Sequence, residues 1–179
     1  MIYRETSLPG TWVLEPEPVA DQRGHFARTF DALEFAAHGM DWIPVQANTS
    51  HNIRPGTLRG MHFQRPPHGE GKLVRCVEGR IWDVAVDLRP ESATRGCWHG
   101  VELSARNGRG FFMPAGMAHG FQTLVAASEV TYLMFAPYVS GAGDGVRWDD
   151  PMFGIEWPEA PAEGRTVSER DARWPDWTP

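Results

Sequence analysis

Along most of this chain apolar residues recur at every second position, the period of a strand with two unlike faces. The clearest run is Arg80-Ile-Trp-Asp-Val-Ala-Val-Asp-Leu, with Trp82, Val84, Val86 and Leu88 on one face and Ile81, Asp83, Ala85 and Asp87 on the other. Glu78-Gly79, just before it, is a hairpin signal. Thr57–Gln64, Lys72–Glu78, Trp98–Ser104, Gly110–Met113, His119–Leu124 and Ser128–Phe135 read as further strands. The one convincing helix is Asp31-Ala-Leu-Glu-Phe-Ala-Ala-His, where Asp31 and Glu34 have capping-box spacing and Gly39 can take the left-handed stop. Nineteen glycines and fifteen prolines are spread through the chain without gathering into a linker. Seven or more short strands so punctuated predict an all-β sandwich or barrel, with residues 1–179 as a single domain. The last forty residues, carrying Trp148, Trp157, Trp174, Trp177 and several prolines, are expected to wrap the barrel as an irregular segment.

Composition narrows the class. A chain of 179 residues can bury roughly 70% of its unfolded surface, so its core needs no disulfide or metal. Cys76 and Cys97 form no metal-binding or redox spacing, the N-terminus has no apolar signal core, and no stretch of about 18 apolar residues occurs. A cytoplasmic protein that does not enter a membrane is expected. The net charge of −6 argues against nucleic-acid binding driven by bulk charge. The charge is uneven, however. Residues 51–80 carry Arg54, Arg59, Arg65, Lys72, Arg75 and Arg80 against Glu70 and Glu78, whereas residues 141–179 are net acidic. Such a cationic band suits a small anionic ligand, and equally a solvated charged face. The 17 basic residues comprise sixteen arginines and one lysine, Lys72. Codon usage in a GC-rich genome accounts for the arginines and makes the lysine the position to explain.

Polar groups fall where strands should be apolar. His62 shares parity with Leu58, Gly60 and Gln64 and so points inward, where an imidazole can act as a general base or simply as a hydrogen-bonded core residue. Pro114-Ala-Gly-Met-Ala-His119 resembles the second motif of the cupin superfamily, and His62-Phe-Gln64 stands in the place of the first. The second histidine of that first motif is Gln64 here, which removes a metal ligand. His62, Glu70 and His119 remain as an alternative two-histidine, one-carboxylate site for a metal-dependent cupin.

Taken in order, Asp21-Gln-Arg-Gly-His-Phe, Gln46-Ala-Asn-Thr-Ser, Leu58-Arg-Gly-Met-His-Phe-Gln, Lys72-Leu-Val-Arg-Cys-Val-Glu-Gly, Asp83-Val-Ala-Val-Asp-Leu-Arg, the Pro114 to His119 segment and Trp148-Asp-Asp-Pro resemble the dTDP-4-dehydrorhamnose 3,5-epimerase family over nearly the whole length. The resemblance implies an all-β cupin-type jelly-roll barrel with one short N-terminal helix. It implies a homodimer that uses no metal or other cofactor and acts on a nucleoside-diphosphate 4-keto-6-deoxy sugar. A 4-keto group acidifies the protons on C3 and C5, so epimerisation needs a base on one face, an acid on the other and a cation for the enolate. The family match assigns His62 as base, Asp171 as the carboxylate that orients it, Tyr132 as acid and Lys72 as the enolate's cation. It places Arg59 and His119 at the sugar diphosphate and Asp83 on the pocket floor beside His119 or Lys72, as an orienting carboxylate or equally as a plain barrel-lining hydrogen bond. Arg59 has opposite parity to His62, so both reach one pocket only if the strand is irregular at Gly60. Arg23, Phe26, Gln46, Asn48 and Tyr138 match the nucleoside site, with Phe26 and Tyr138 sandwiching the base and part of the site supplied by the second subunit.

The match fails in places. Arg28 and Gly143 replace glutamates of the family pattern, and Ser140 replaces a proline. A guanidinium in place of a carboxylate suits an acceptor-rich base edge. A CDP- or GDP-linked sugar is therefore an alternative to the dTDP-linked one, as is inversion at a single centre. A non-catalytic sugar-nucleotide binding module is a third reading, against which the retained Tyr132 and Asp171 count.

Overall fold

In a computed structural model the chain is described over residues 1–40 and 42–178. Its elements run β1 (Ile2–Glu5), β2 (Trp12–Glu15), β3 (Val19–Asp21), β4 (Gly24–Phe26), α1 (Ala32–Ala37), β5 (Gln46–Asn52), β6 (Thr57–Gln64), β7 (Lys72–Glu78) and β8 (Arg80–Asp87). They continue with β9 (Trp98–Ser104), β10 (Gly110–Met113), β11 (Met117–Thr123), β12 (Ser128–Met134), β13 (Gly143–Gly145), β14 (Thr166–Val167) and α2 (Glu169–Ala172). One sheet has the order β1-β2-β10-β7-β12-β5 and the other β13-β6-β11-β8-β9, with β14 added parallel to β6. Face to face these sheets form a jelly roll, while β3 and β4 stand apart as a two-stranded hairpin.

Apolar side chains occupy three layers. Val74, Cys76, Phe111 and Val130 of the first sheet meet Ile81, Ala85, Leu103 and Phe121 of the second in the interior. Val84 and Val86 face the other way, with Met61 and Ala118, and are covered by Phe153, Ile155, Trp157 and Trp177 of the C-terminal segment. The alternation along residues 80–88 is thus realised and both faces are covered, one carrying Val84 and Val86, the other Ile81 and Ala85 with the buried carboxylates of Asp83 and Asp87. Phe35 of α1 and Met40 close the outside of the first sheet over Leu14, Leu73 and Phe112. Asp31 caps α1 by accepting from the backbone N–H groups of Leu33 at 2.9 Å and Glu34 at 3.1 Å, and Gly39 takes φ +78° beyond its end.

One local expectation fails. Glu78-Gly79 does not close a hairpin, because β7 and β8 lie in different sheets. Gly79, at φ +75°, instead carries the chain across the sandwich, and a Cβ there would collide with Ser128.

The turn after β8 is fastened by Asp87, which is fully buried. Its carboxylate accepts from Arg89 Nη2 at 2.7 Å, Ser92 Oγ at 2.6 Å and Thr94 Oγ1 at 2.7 Å. Burial alone pushes this carboxyl up, but these donors outweigh it and hold it well below the usual carboxylate range. A pKa depressed on folding adds stability that is fully present above the unfolded value of about 3.9 and is lost as pH falls toward the folded one. Asp87→Asn is therefore expected to melt below the parent near neutrality and to approach it below about pH 3; parallel melting curves at every pH would contradict this.

Candidate active site

The site begins with an irregularity in β6. On β11 the pairing steps by two residues, from His119 to Phe121, while on β6 it steps by three, from His62 to Arg59. The extra residue is absorbed at Gly60, whose φ of +132° and close approach to Gly120 leave no room for a Cβ. Parity therefore does not carry across Gly60, and Arg59 and His62 reach the same cavity as expected. That cavity, about 530 Å³, is lined by Asn48, Arg59, His62, Lys72, His119 and Tyr132 among others.

His62 Nε2 lies 2.7 Å from Asp171 Oδ1, although 109 residues separate the two in sequence. Asp171 projects from α2, where Ser168 caps the helix by accepting its backbone N–H. Its second oxygen accepts the N–H of Gly60 at 3.2 Å, so the bulge and the tail fix each other. Burial raises the Asp171 pKa, but the hydrogen bonds from His62 and Gly60 more than reverse this, and the carboxylate is ionised at neutral pH. An ionised carboxylate only accepts, so Nε2 is the nitrogen that donates to Asp171, and Nδ1 is the one turned away from it.

Tyr132 stands on β12, in the sheet opposite His62, with its ring edge-on to His119 at 6.0 Å. Burial holds the phenol protonated far above neutrality. Lys72 is 5% exposed, and its Nζ lies 3.2 Å from Glu70 Oε1. The other Glu70 oxygen accepts from Gln64 Nε2 at 2.8 Å. Both oxygens of Glu70 are thus engaged, and among the described residues no three His, Cys, Asp or Glu side chains converge as metal ligands. On the cavity floor His119 Nε2 and Asp83 Oδ1 are 2.8 Å apart. Burial pushes Asp83 up and His119 down, each toward its neutral form.

The nucleoside residues are gathered only in part. Gln46 donates to Asn48 Oδ1 at 3.0 Å and accepts the backbone N–H of Tyr138 at 3.3 Å, which joins these three near the cavity mouth. Arg23 and Phe26 belong to the outlying β3–β4 hairpin, where Arg23 pairs with Asp21 at 2.6 Å and Phe26 is 77% exposed. Within one chain Phe26 and Tyr138 do not stack, so no aromatic sandwich exists in the monomer. Arg28 is 2.8 Å from Asp31 and 3.5 Å from Glu34 at the start of α1. Its guanidinium serves the helix terminus, which takes away the argument from Arg28 for a changed base preference and leaves the one from Gly143. Sequence reasoning missed Asn52, whose Oδ1 holds Arg59 Nε at 2.8 Å. It weighed Glu70 only as a metal ligand, when its proximity to Lys72 was the available signal.

A jelly roll whose cavity sets an oriented imidazole on one sheet against a protonated phenol on the other is built to move protons at carbon, the work of an isomerase. Comparison with known proteins narrows the class. A family model described as dTDP-4-dehydrorhamnose 3,5-epimerase matches residues 5–178, and the chain belongs to that family. It is 45% identical over 172 residues to the dTDP-4-dehydrorhamnose 3,5-epimerase of Methanothermobacter thermautotrophicus, covering 96% of this chain and 92% of that one. The crystal structure of the enzyme of that name from Elizabethkingia anophelis has a TM-score of 0.94 and 36% identity, over 99% of this chain and 96% of the other. The dTDP-6-deoxy-D-glucose-3,5-epimerase of Legionella pneumophila, solved with dTDP-4-keto-L-rhamnose, gives 0.89 and 35% over 96% and 89%.

Proposed function

We propose that this chain, acting as one domain, epimerises dTDP-4-dehydro-6-deoxy-D-glucose at C3 and C5. The observation that carries the reading is the placement of His62 and Tyr132 on facing walls beside the buried ammonium of Lys72. His62 Nδ1 takes the proton next to the ketone, and the electron pair left behind passes into the enolate. Lys72 neutralises the oxygen as its charge develops, where a fixed donor is worth more than in water. Tyr132 returns a proton to the opposite face, inverting the centre. Asp171 keeps the imidazole in the productive tautomer and steadies the cation that forms. Arg59 and His119 hold the diphosphate end, and Asp83 orients His119.

A homodimer fits the exposed surface. Val19 and Phe26 on the β3–β4 hairpin are apolar and uncovered, and a second copy there would bring Arg23 and Phe26 to the partner's nucleotide mouth. No helix among the described residues is long and apolar enough to cross a membrane. Cytoplasmic action on a small sugar nucleotide, without metal or other cofactor, is consistent with the unassisted proton chemistry of these side chains.

Solvent deuterium incorporation into the 4-keto sugar, counted by mass spectrometry, tests the proposal. Two labels are expected. One label reduces the activity to a single centre, and label entering only a CDP- or GDP-linked sugar moves the nucleotide preference. No label with any of them, or label that enters only with added metal, overturns the reading.

A further inference from the structure

Glu70 is the least explained polar group in the cavity. Its side chain is 11% exposed, that of Lys72 is 6% exposed, and their charged atoms are 3.2 Å apart. The ammonium is the group proposed to meet the enolate, yet it hangs on a flexible four-carbon stem with rotatable donors. Something must fix where it points.

Glu70 is itself held. Gln64 Nε2 donates to Glu70 Oε2 at 2.8 Å, to His68 O at 3.2 Å and to Pro137 O at 3.2 Å, while Gln64 Oε1 accepts from the Val139 N–H at 2.8 Å. The side chain is 4% exposed. Gln64 therefore bridges the loop that carries Glu70 and the segment 137–139, which includes Tyr138 at the nucleotide mouth. Hydrogen bonds run from that segment through Gln64 to Glu70, and an ion pair carries the link on to Lys72 Nζ.

We propose that Glu70 is the positioning residue that sets the Lys72 ammonium for the enolate oxygen, with Gln64 as the strut that ties Glu70 to the nucleotide end of the site. The inference rests on the epimerase reading. Both Glu70 oxygens are taken, one by Gln64 and one by Lys72, so it acts through Lys72. Its loss lets the ammonium rotate away, and displacing a catalytic group by about 1 Å lowers turnover by up to roughly 10²-fold. Binding of the nucleotide moiety is left in place. Gln64 touches both ends, so its loss affects both.

The test compares steady-state constants on the sugar nucleotide whose hydrogens the parent exchanges. Glu70→Ala is expected to lower kcat by roughly 30-fold while KM and the affinity for dTDP stay within about twofold. Glu70→Gln, which keeps an oxygen for Nζ, is expected to recover kcat to within about threefold of the parent. Gln64→Met, which fills the volume but lacks the amide, is expected to lower kcat and raise KM together. It also serves as the test if Glu70→Ala does not fold. Parent-like kcat in Glu70→Ala overturns the proposal, as does parent-like kcat in Gln64→Met. A folded Glu70→Gln as slow as Glu70→Ala also overturns it, because charge and not a held oxygen would then be what matters. A parent that exchanges no hydrogen removes the epimerase reading instead.

Discussion

A His62→Ala protein is expected to exchange no hydrogen between the 4-keto sugar and solvent, at either centre, while still binding dTDP. His62 lines the cavity with Nε2 turned to Asp171, which leaves Nδ1 as the nitrogen available to the sugar. The nearby alternatives are spoken for: Asp83 lies against His119, Glu70 against Lys72, and Asp171 against His62 itself. Asp171→Asn sharpens the test. An asparagine at that place keeps the size but can offer Nε2 an amide donor, which favours the tautomer with its proton on Nδ1. In catalytic triads the equivalent change lowers kcat by about 10⁴. Thermal melts of both proteins should stay close to the parent, and isotope counts in D2O provide the readout. Exchange at the parental rate in His62→Ala would sink the base assignment.

Lys72→Arg is expected to lose activity by about 10²- to 10³-fold, although it preserves net charge. The ammonium sits almost wholly buried between Glu70 and the cavity, a space fitted to a compact cation. A guanidinium is planar and rigid, and it would lock onto the Glu70 carboxylate in bidentate fashion and turn its remaining donors away from the oxyanion. Near-parental kcat would show that any positive charge suffices and that the lone lysine is an accident of composition.

Much of this architecture was legible from period and punctuation. Strands such as Lys72–Glu78 and Gly110–Met113 stand where the alternation puts them, because both faces of their sheet are buried and register is strongly specified. β5 was not legible. Gln46-Ala-Asn-Thr-Ser-His-Asn is a polar edge strand whose residues are mostly exposed, so no hydrophobic period marks it. α2 is four residues long, too short to show a helical repeat, and with it went any way to see how Asp171 reaches His62. The bulge at Gly60 could be inferred, since Arg59 and His62 share a cavity only if the strand breaks step there. Gly79 misled for a physical reason. A glycine with positive φ serves a corner between sheets as readily as a hairpin turn, and local sequence does not say which. Arg23 and Phe26 sit on a hairpin outside the His62 cavity of their own chain, so a reading of one chain does not place them against a ligand there.

The union of Gly60 and Asp171 has a consequence for the life history of the molecule. The barrel strands from β1 to β13 precede the tail, and the imidazole waits for a carboxylate that is translated 109 residues later. A chain clipped between Ile155 and Thr166 loses at one stroke β14 from the edge of β6, the cover that Trp177 gives Val84 and Val86, and the carboxylate that orients His62. Damage to the tail therefore reaches the barrel wall and the imidazole in a single event.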